Sequence, residues 1–329
     1  MARELESRGG RVGAEGGGWV QVEGLNDVPS ELCFAHQILV DPTLVEGDSV
    51  NRLAAAILDY TLAAIKGQRI ETEWPCVFTT AGELNGLGRR MSAVEKAFRE
   101  QFKKRLGRVA RLAVPDVPAG VGEVEGVFVF FADFGRMWLA KKVVRGGQRR
   151  MADDRDAPSR SYLKVEEAYG VLEAEPIEGE LVVDLGAAPG GWSFSAAKRG
   201  ARVIAIDNGP LKEGALDNPL IEHRREDAFA YRPSADEPVD WLFCDLVEDP
   251  NHVVHNLITP WLINGWCRRF VVNLKIGRVD ATALLAEMTR ADSPFVKHTS
   301  LLRVRHLYHD REEFTLVGEL KKGKQSRSD

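Results

Sequence analysis

Leu181-Val182-Val183-Asp184-Leu185-Gly186-Ala187-Ala188-Pro189-Gly190-Gly191-Trp192 decides how this chain folds. An apolar run ends in an acid, passes through a glycine- and proline-rich turn, and enters a helix-compatible segment. That order predicts a buried strand, a tight loop and a helix start. Glycine leaves room for a ligand to approach the backbone. Open α/β sheets bind their ligands here, at the carboxyl ends of the strands. Gly186, Gly190 and Gly191, with Pro189 between them, do not follow the Gly-x-Gly-x-x-Gly spacing of a dinucleotide site. A nicotinamide-dependent oxidoreductase fails on that spacing.

Outward from this stretch, strands are predicted at 181–185, 202–206, 220–225, 239–245 and 269–275, with helices between them. This is a doubly wound, mainly parallel α/β sheet. Two further strands, 301–309 and 313–320, surround a polar turn and predict an antiparallel hairpin at the sheet edge. The polar segment 152–158 reads as a linker, so this domain spans 151–321. The basic stretch 322–329 reads as a disordered tail.

The first half has another character. Residues 1–30 are polar and glycine-rich and predict a flexible leader. A smaller α+β domain is expected over 31–150. It has a strand over 32–40, an amphipathic helix over 48–66 and a strand over 74–80. The Ser92-Ala93-Val94-Glu95 sequence fits a capping box before a second helix. The runs 127–134 and 137–143 predict a hairpin.

The 329 residues carry a net charge of -5 and a 44% hydrophobic share. The charge argues against a wholly basic nucleic-acid binder. From 89 to 150, however, 15 Lys/Arg stand against 6 Asp/Glu, a balance of +9 that leaves -14 for the remainder. Such a block suggests contact with an RNA backbone. Cys33, Cys76, Cys244 and Cys267 form no Cys-x-x-Cys pair and read as free thiols of a reducing cytoplasm. His223, His252, His255 and His309 show no metal-ligand spacing, so no metal is expected. No apolar run reaches the roughly 20 residues of a membrane span.

Acids follow the second and third strands. Asp207 lies 23 residues after Asp184, where a carboxylate can accept hydrogen bonds from a ribose diol. Asp227 stands where it could accept from an adenine amine, flanked by Ala228 and Phe229. With the loop segment Ala188, Pro189, Gly190 and Gly191, in which Ala188, Gly190 and Gly191 carry amide N–H donors, this acid-lined cleft suits a cationic adenosyl sulfonium better than a pyrophosphate. Four more charges stand at element ends: Lys164, Asp245, Lys275 and Glu313. Lys275 follows the run Phe270-Val271-Val272-Asn273-Leu274, a buried-strand pattern in which charges are rare.

The loop resembles the S-adenosylmethionine loop of Rossmann-like methyltransferases, and the Lys-Asp-Lys-Glu order resembles the tetrad of the FtsJ-like ribose 2'-O-methyltransferases. The longer matches are Pro158-Ser159-Arg160-Ser161, Asp207-Asn208-Gly209-Pro210, Arg225-Glu226-Asp227, Asn264-Gly265-Trp266-Cys267, Asn273-Leu274-Lys275 and Tyr308-His309-Asp310-Arg311-Glu312-Glu313. These are similar to a bacterial family that methylates a cytidine 2'-hydroxyl of 23S rRNA. The resemblance is strong over about 155–320. Over about 33–150 it is weaker and implies a THUMP-like RNA-binding module; the family's further ferredoxin-like domain has only about 30 residues in its place. It implies that Ser161, Ala188 to Gly191, Asp207, Asp227 and Asp245 contact the methyl donor. It also implies that Lys275 accepts the proton and that Lys164 and Glu313 complete the tetrad, with Glu312 as the substitute for Glu313. The physical reading agrees: a ribose hydroxyl needs its proton removed before it attacks, and Lys275 can do this when burial and the nearby Lys164 ammonium depress its pKa, with Asp245 and Glu313 orienting both. Two alternatives stay open: an RNA base methyltransferase, and a non-catalytic RNA-binding protein that keeps the fold.

Overall fold

The computed structural model describes residues 1–322 apart from 26, 30, 83, 235 and 236. Of the tail expected at 322–329, residues 323–329 lie outside the described residues. The chain forms two units: residues 1–30 with 37–146, and residues 31–36 with the chain from 147 on.

The first unit does not begin with a flexible leader. It opens with α1 (Ala2–Glu6) and a hairpin of β1 (Arg11–Gly16) and β2 (Trp19–Glu23). The glycines that suggested flexibility serve the turns instead. Gly18 sits at φ 81°, and a Cβ on Gly16 would come within 2.4 Å of the Trp19 indole nitrogen. Then come β3 (Gln37–Val40), β4 (Thr43–Glu46), α2 (Val50–Ala64), β5 (Trp74–Thr80), α3 (Leu87–Arg105), α4 (Gly107–Leu112) and β6 (Ala113–Val114). The unit ends with the antiparallel pair β7 (Val121–Phe131) and β8 (Arg136–Gly146). The six-stranded sheet runs β3-β8-β7-β5-β6, with β4 also on β8.

Two local expectations need correction. The predicted strand over 32–40 is a strand only from Gln37. Leu32 and Cys33 are buried, and Cys33 belongs to the core of the second unit, where its carbonyl accepts from the His306 amide. Ser92 is no cap: α3 has already begun at Leu87, and the Ser92 hydroxyl donates to the Gly88 carbonyl inside the helix at 2.9 Å. The helix buries Leu87, Val94, Phe98 and Phe102. Lys96, Lys103, Lys104, Arg105 and Arg108 are exposed.

The second unit contains α5 (Tyr162–Leu172), β9 (Leu181–Leu185), α6 (Gly191–Ala197), β10 (Arg202–Ile206), β11 (Ile221–Arg224) and β12 (Val239–Cys244). Next come α7 (Pro250–Val253), α8 (Thr259–Asn264), β13 (Cys267–Lys275), α9 (Ala281–Thr289), α10 (Pro294–His298), β14 (Thr299–Arg305) and β15 (Glu313–Leu320). The seven strands lie in the order β11-β10-β9-β12-β13-β15-β14. All described pairs from β11 to β13 are parallel, and β15 is antiparallel to both neighbours. The strand order reverses between β9 and β12, which is where such sheets open a ligand crevice.

The near-continuous apolar strands follow from burial on both faces. Val183, Leu185, Leu242 and Phe270 pack with Trp261 and Leu284 on one side. Val182, Val203, Trp241, Phe243 and Val271 pack with Tyr169, Trp192 and Ala196 on the other. Successive residues of one strand therefore feed two cores, as the period of two requires.

Candidate active site

The loop after β9 is shaped by its own surroundings. Gly186 and Gly190 take φ 81° and 106°, the region open to glycine. A Cβ on Gly186 would come within 2.7 Å of Leu246, one on Gly190 within 2.5 Å of Ala215, and one on Gly191 within 2.9 Å of the Ser159 and Ser161 hydroxyls. These glycines let the loop pack tightly against the protein, which is a stricter demand than leaving space for a ligand.

Ser161 and Lys164 are held beside this loop. The Trp192 indole N–H donates to the Ser161 carbonyl at 3.0 Å, and the ring packs edge-on to Phe243. The Ser159 and Ser161 hydroxyls lie 2.6 Å apart. Trp192 thus ties the start of α6 to the start of α5, one turn before Lys164.

Asp207, just past the end of β10, braces the loop. Its carboxylate accepts from the Ala188 amide at 2.9 Å and from the Gly209 amide at 2.7 Å. Asp227, beyond β11, is exposed and accepts from the Phe229 amide at 2.9 Å. The Phe229 ring lies 4.6 Å from the His252 ring. Asp245 follows β12, and its amide donates to the Leu185 carbonyl at 3.3 Å, at the base of the loop. Three carboxylates thus stand past the carboxyl ends of β11 and β10 on one side of β9 and of β12 on the other. This set of acceptors suits ribose hydroxyls, an exocyclic amine and a sulfonium; it would repel a pyrophosphate. The residues present therefore fit S-adenosylmethionine.

Four charges separated by up to 149 positions meet beside it. The Lys275 ammonium contacts Asp245 Oδ1 and lies 3.2 Å from Glu313 Oε1. The Lys164 ammonium lies 2.6 Å from Glu313 Oε2 and 3.8 Å from Asp245 Oδ2. The result is a closed ring of alternating sign: Lys164, Glu313, Lys275, Asp245. Their side chains keep only 11–22% of their exposure, so the charges act on one another with little screening from water. Glu313 is the first residue of β15 and points into the ring. Glu312 is exposed and its carboxylate lies over Gly277.

The protonation expected for Lys275 is corrected by this geometry. Burial pushes its ammonium down, but contact with Asp245, and then with Glu313, outweighs burial. The net shift is above the ordinary lysine value. Burial would raise the Glu313 carboxyl, but the Lys164 and Lys275 ammoniums hold it below its usual range. The second ammonium does not lower Lys275 because two carboxylates stand between them.

The residues that sequence reasoning missed lie behind the ring. The Lys275 ammonium also donates to Asn273 Oδ1 at 2.7 Å. Buried Asn273 in turn meets Asp310 and Thr315. A signal was present in the sequence: Asn273 interrupts the apolar run Phe270 to Leu274 of β13, where a polar residue needs a partner. Glu167 was also missed. It is fully buried, its carboxylate accepts from the Arg149, Tyr308 and His309 amides, and burial pushes it up to about 7.

Other features bear on the alternatives. Cys244 is fully buried and its thiol is pushed up to about 12 by burial, which leaves little thiolate for nucleophilic attack on a base. Among the described residues, no group of three His, Cys, Asp or Glu is arranged to hold a metal ion. No helix among them is long and apolar enough to cross a membrane.

Residues 157–275 match the family described as FtsJ-like methyltransferase. The chain is 35% identical over 305 residues to the ribosomal RNA large subunit methyltransferase M of Marinomonas sp. (strain MWYL1), covering 87% of this chain and 81% of that protein. It is 35% identical over 301 residues to the protein of that name from Alkalilimnicola ehrlichii, covering 88% and 79%. With the one from Thauera aminoaromatica it shares 43% over 176 residues, 51% of this chain and 47% of that protein. The chain belongs to the ribosomal RNA large subunit methyltransferase M family, FtsJ-like methyltransferases of Rossmann-like fold whose methyl donor is S-adenosylmethionine.

Proposed function

We propose that this protein is a cytoplasmic ribose 2'-O-methyltransferase acting on a cytidine of 23S rRNA, with Lys275 as the general base. The alternating ring of Lys164, Glu313, Lys275 and Asp245 carries the reading. It presents an amine to an oxygen nucleophile, and it offers no reactive thiol for attack on a base. The relatives' names and the sequence resemblance support ribosomal RNA and the cytidine. The buried free cysteines fit a reducing compartment.

When bound, S-adenosylmethionine supplies a methyl group on a sulfonium, which passes to an oxygen nucleophile with release of a neutral thioether. Ser161, the segment Ala188–Gly191, Asp207, Asp227 and Asp245 hold that donor. Lys275 takes the proton of the 2'-hydroxyl, so its ammonium must first lose one of its own protons to solvent water. Its three N–H bonds point at Asp245, Glu313 and Asn273. The Glu313 contact is the longest, and Glu313 keeps Lys164 at 2.6 Å when Lys275 lets go. Lys164 therefore keeps the ring close to neutral while Lys275 changes state. General-base help of this kind contributes about 10²–10⁴-fold. The exposed basic side chains of α3 support RNA-backbone binding by the first unit, read as a THUMP-like module.

The test is mass-spectrometric mapping of 23S rRNA ribose methylation with and without the gene, followed by complementation with Lys275→Ala. A single missing 2'-O-methylcytidine, restored by the native gene and not by the variant, supports the reading. A lost base methylation, or near-normal turnover by Lys275→Ala, overturns it.

A further inference from the structure

Behind the charged ring lies a polar chain that the tetrad itself does not include. Asn273 is 1% exposed, Asp310 8% and Thr315 1%. Buried groups of this kind are retained in a strand core only when each finds a partner. Here the partners leave a single arrangement. Asn273 Nδ2 donates one N–H to Asp310 Oδ1 and the other to Thr315 Oγ1, each at 2.9 Å. The Thr315 hydroxyl, having accepted, donates to Asp310 Oδ2 at 3.2 Å. Asp310 Oδ2 also accepts from the Leu307 amide at 2.9 Å. With both N–H bonds used, the carboxamide oxygen of Asn273 can face one way only. It faces Lys275, at 2.7 Å.

We propose that Asn273, locked in orientation by Asp310 and Thr315, is a positioning residue that fixes the rotation of the Lys275 amine through a neutral acceptor. The proposal rests on the general-base reading of Lys275 and deepens it. A free ammonium rotates about its last carbon bond, and two carboxylates shared with Lys164 leave that rotation loosely defined. A third acceptor of fixed direction defines it. Two N–H bonds then stay on Asn273 and Asp245, and the remaining position, toward Glu313, is where the lone pair opens. A carboxylate at position 273 would add a third negative charge around the amine and hold its proton more tightly. A carboxamide orients without that penalty. The charged groups facing Lys275 are Asp245 beyond β12 and Glu313 on β15, with Lys164 of α5 on the far side of both. Those facing Asp310 are Lys164, Glu313, His306 and Glu167.

The test compares pH profiles of kcat for the full-length protein on its RNA substrate. Asn273→Ala removes an acceptor that favours the ammonium, so the acid limb should move to lower pH. At the same time kcat at its plateau should fall about tenfold or more, a part of the roughly 10²–10⁴-fold that a positioned base supplies. KM for the methyl donor should stay within about twofold. Thr315→Val keeps the shape of the core and removes one lock, so it should shift the limb in the same direction by less; Thr315→Ser should restore the native profile. A native acid limb in both Asn273→Ala and Thr315→Val, with only melting temperature lowered, overturns the proposal. Lys275→Met separates the two readings. If it is inactive while the Asn273 and Thr315 variants keep the native limb, the positioning role alone fails. If Lys275→Met still turns over, the base reading fails and takes this one with it.

Discussion

Lys275 and Glu313 are direct register partners across the antiparallel pair of β13 and β15, and their side chains meet at 3.2 Å. Residues directly opposite one another in such a pair hold their side chains on the same face. The final hairpin of the chain thus delivers a carboxylate to a lysine 38 positions earlier. Glu312 lies just outside β15, and its carboxylate sits over Gly277 instead of joining the ring.

Glu313→Gln should lower the pKa of Lys275. Its ammonium is raised by Asp245 first and Glu313 second, so removing one carboxylate weakens the hold on the proton. The acid limb of kcat should move to lower pH, while the plateau falls by about tenfold or more because Lys164 loses its closest partner. A pH–rate profile reads this directly; a limb moved to higher pH would contradict the assigned coupling.

Asp184→Asn should stabilise the protein more at pH 8 than at pH 5. The Asp184 carboxyl is fully buried and burial pushes it up to about 7, although Ser193 donates to it at 2.7 Å. Its folded pKa lies above the unfolded value of about 3.9. Between these values the native state keeps a proton that the unfolded chain has lost, so stability falls as pH rises through the window. Melting temperatures at the two pH values check it. Equal effects at both would show that the carboxyl is ionised throughout.

Asp207→Ala should weaken donor binding by roughly tenfold or more, since a hydrogen bond to a charged group contributes about 1.5–3 kcal/mol. The carboxylate already organises the amides of Ala188 and Gly209, so part of the loss comes from a loosened loop. Titration calorimetry with S-adenosylmethionine measures it, and unchanged affinity would remove Asp207 from the donor site.

Charge reversal of Lys96, Lys103 and Lys104 to Glu should weaken RNA binding and flatten its dependence on salt. These side chains are exposed on α3, and each phosphate that a lysine neutralises contributes about 0.7–0.9 to the slope of log K against log salt. Binding isotherms at several salt concentrations give the slope; an unaltered one would mean that this face is simply solvated.

Much of the second unit is legible in the amino-acid sequence. The strands at 181–185 and 202–206 read from apolar runs bounded by turn residues, because strands buried on both faces are almost wholly apolar. Asp207, Asp245 and Lys275 stand out as charges at the ends of such runs, whereas Asp227 follows the polar β11 and is legible only from its order after the first two sites. Residues 1–30 mislead because glycine content does not distinguish a flexible segment from turns that require positive φ, as at Gly18. Ser92 misleads because a capping pattern also occurs inside a helix, where its hydroxyl simply finds the carbonyl four residues back.

Local pattern determined the elements of this protein and the acids at their ends, since periodicity and turn chemistry act over a few residues. Tertiary structure alone decided what those residues do together. The strand order put Asp245 and Lys275 on neighbouring carboxyl ends, and the register of β15 brought Glu313 to Lys275. Burial then placed these charges where their mutual attraction is weakly screened. That is why the sequence suggested a lysine with a depressed pKa, while the folded site holds it raised between two carboxylates and a locked carboxamide.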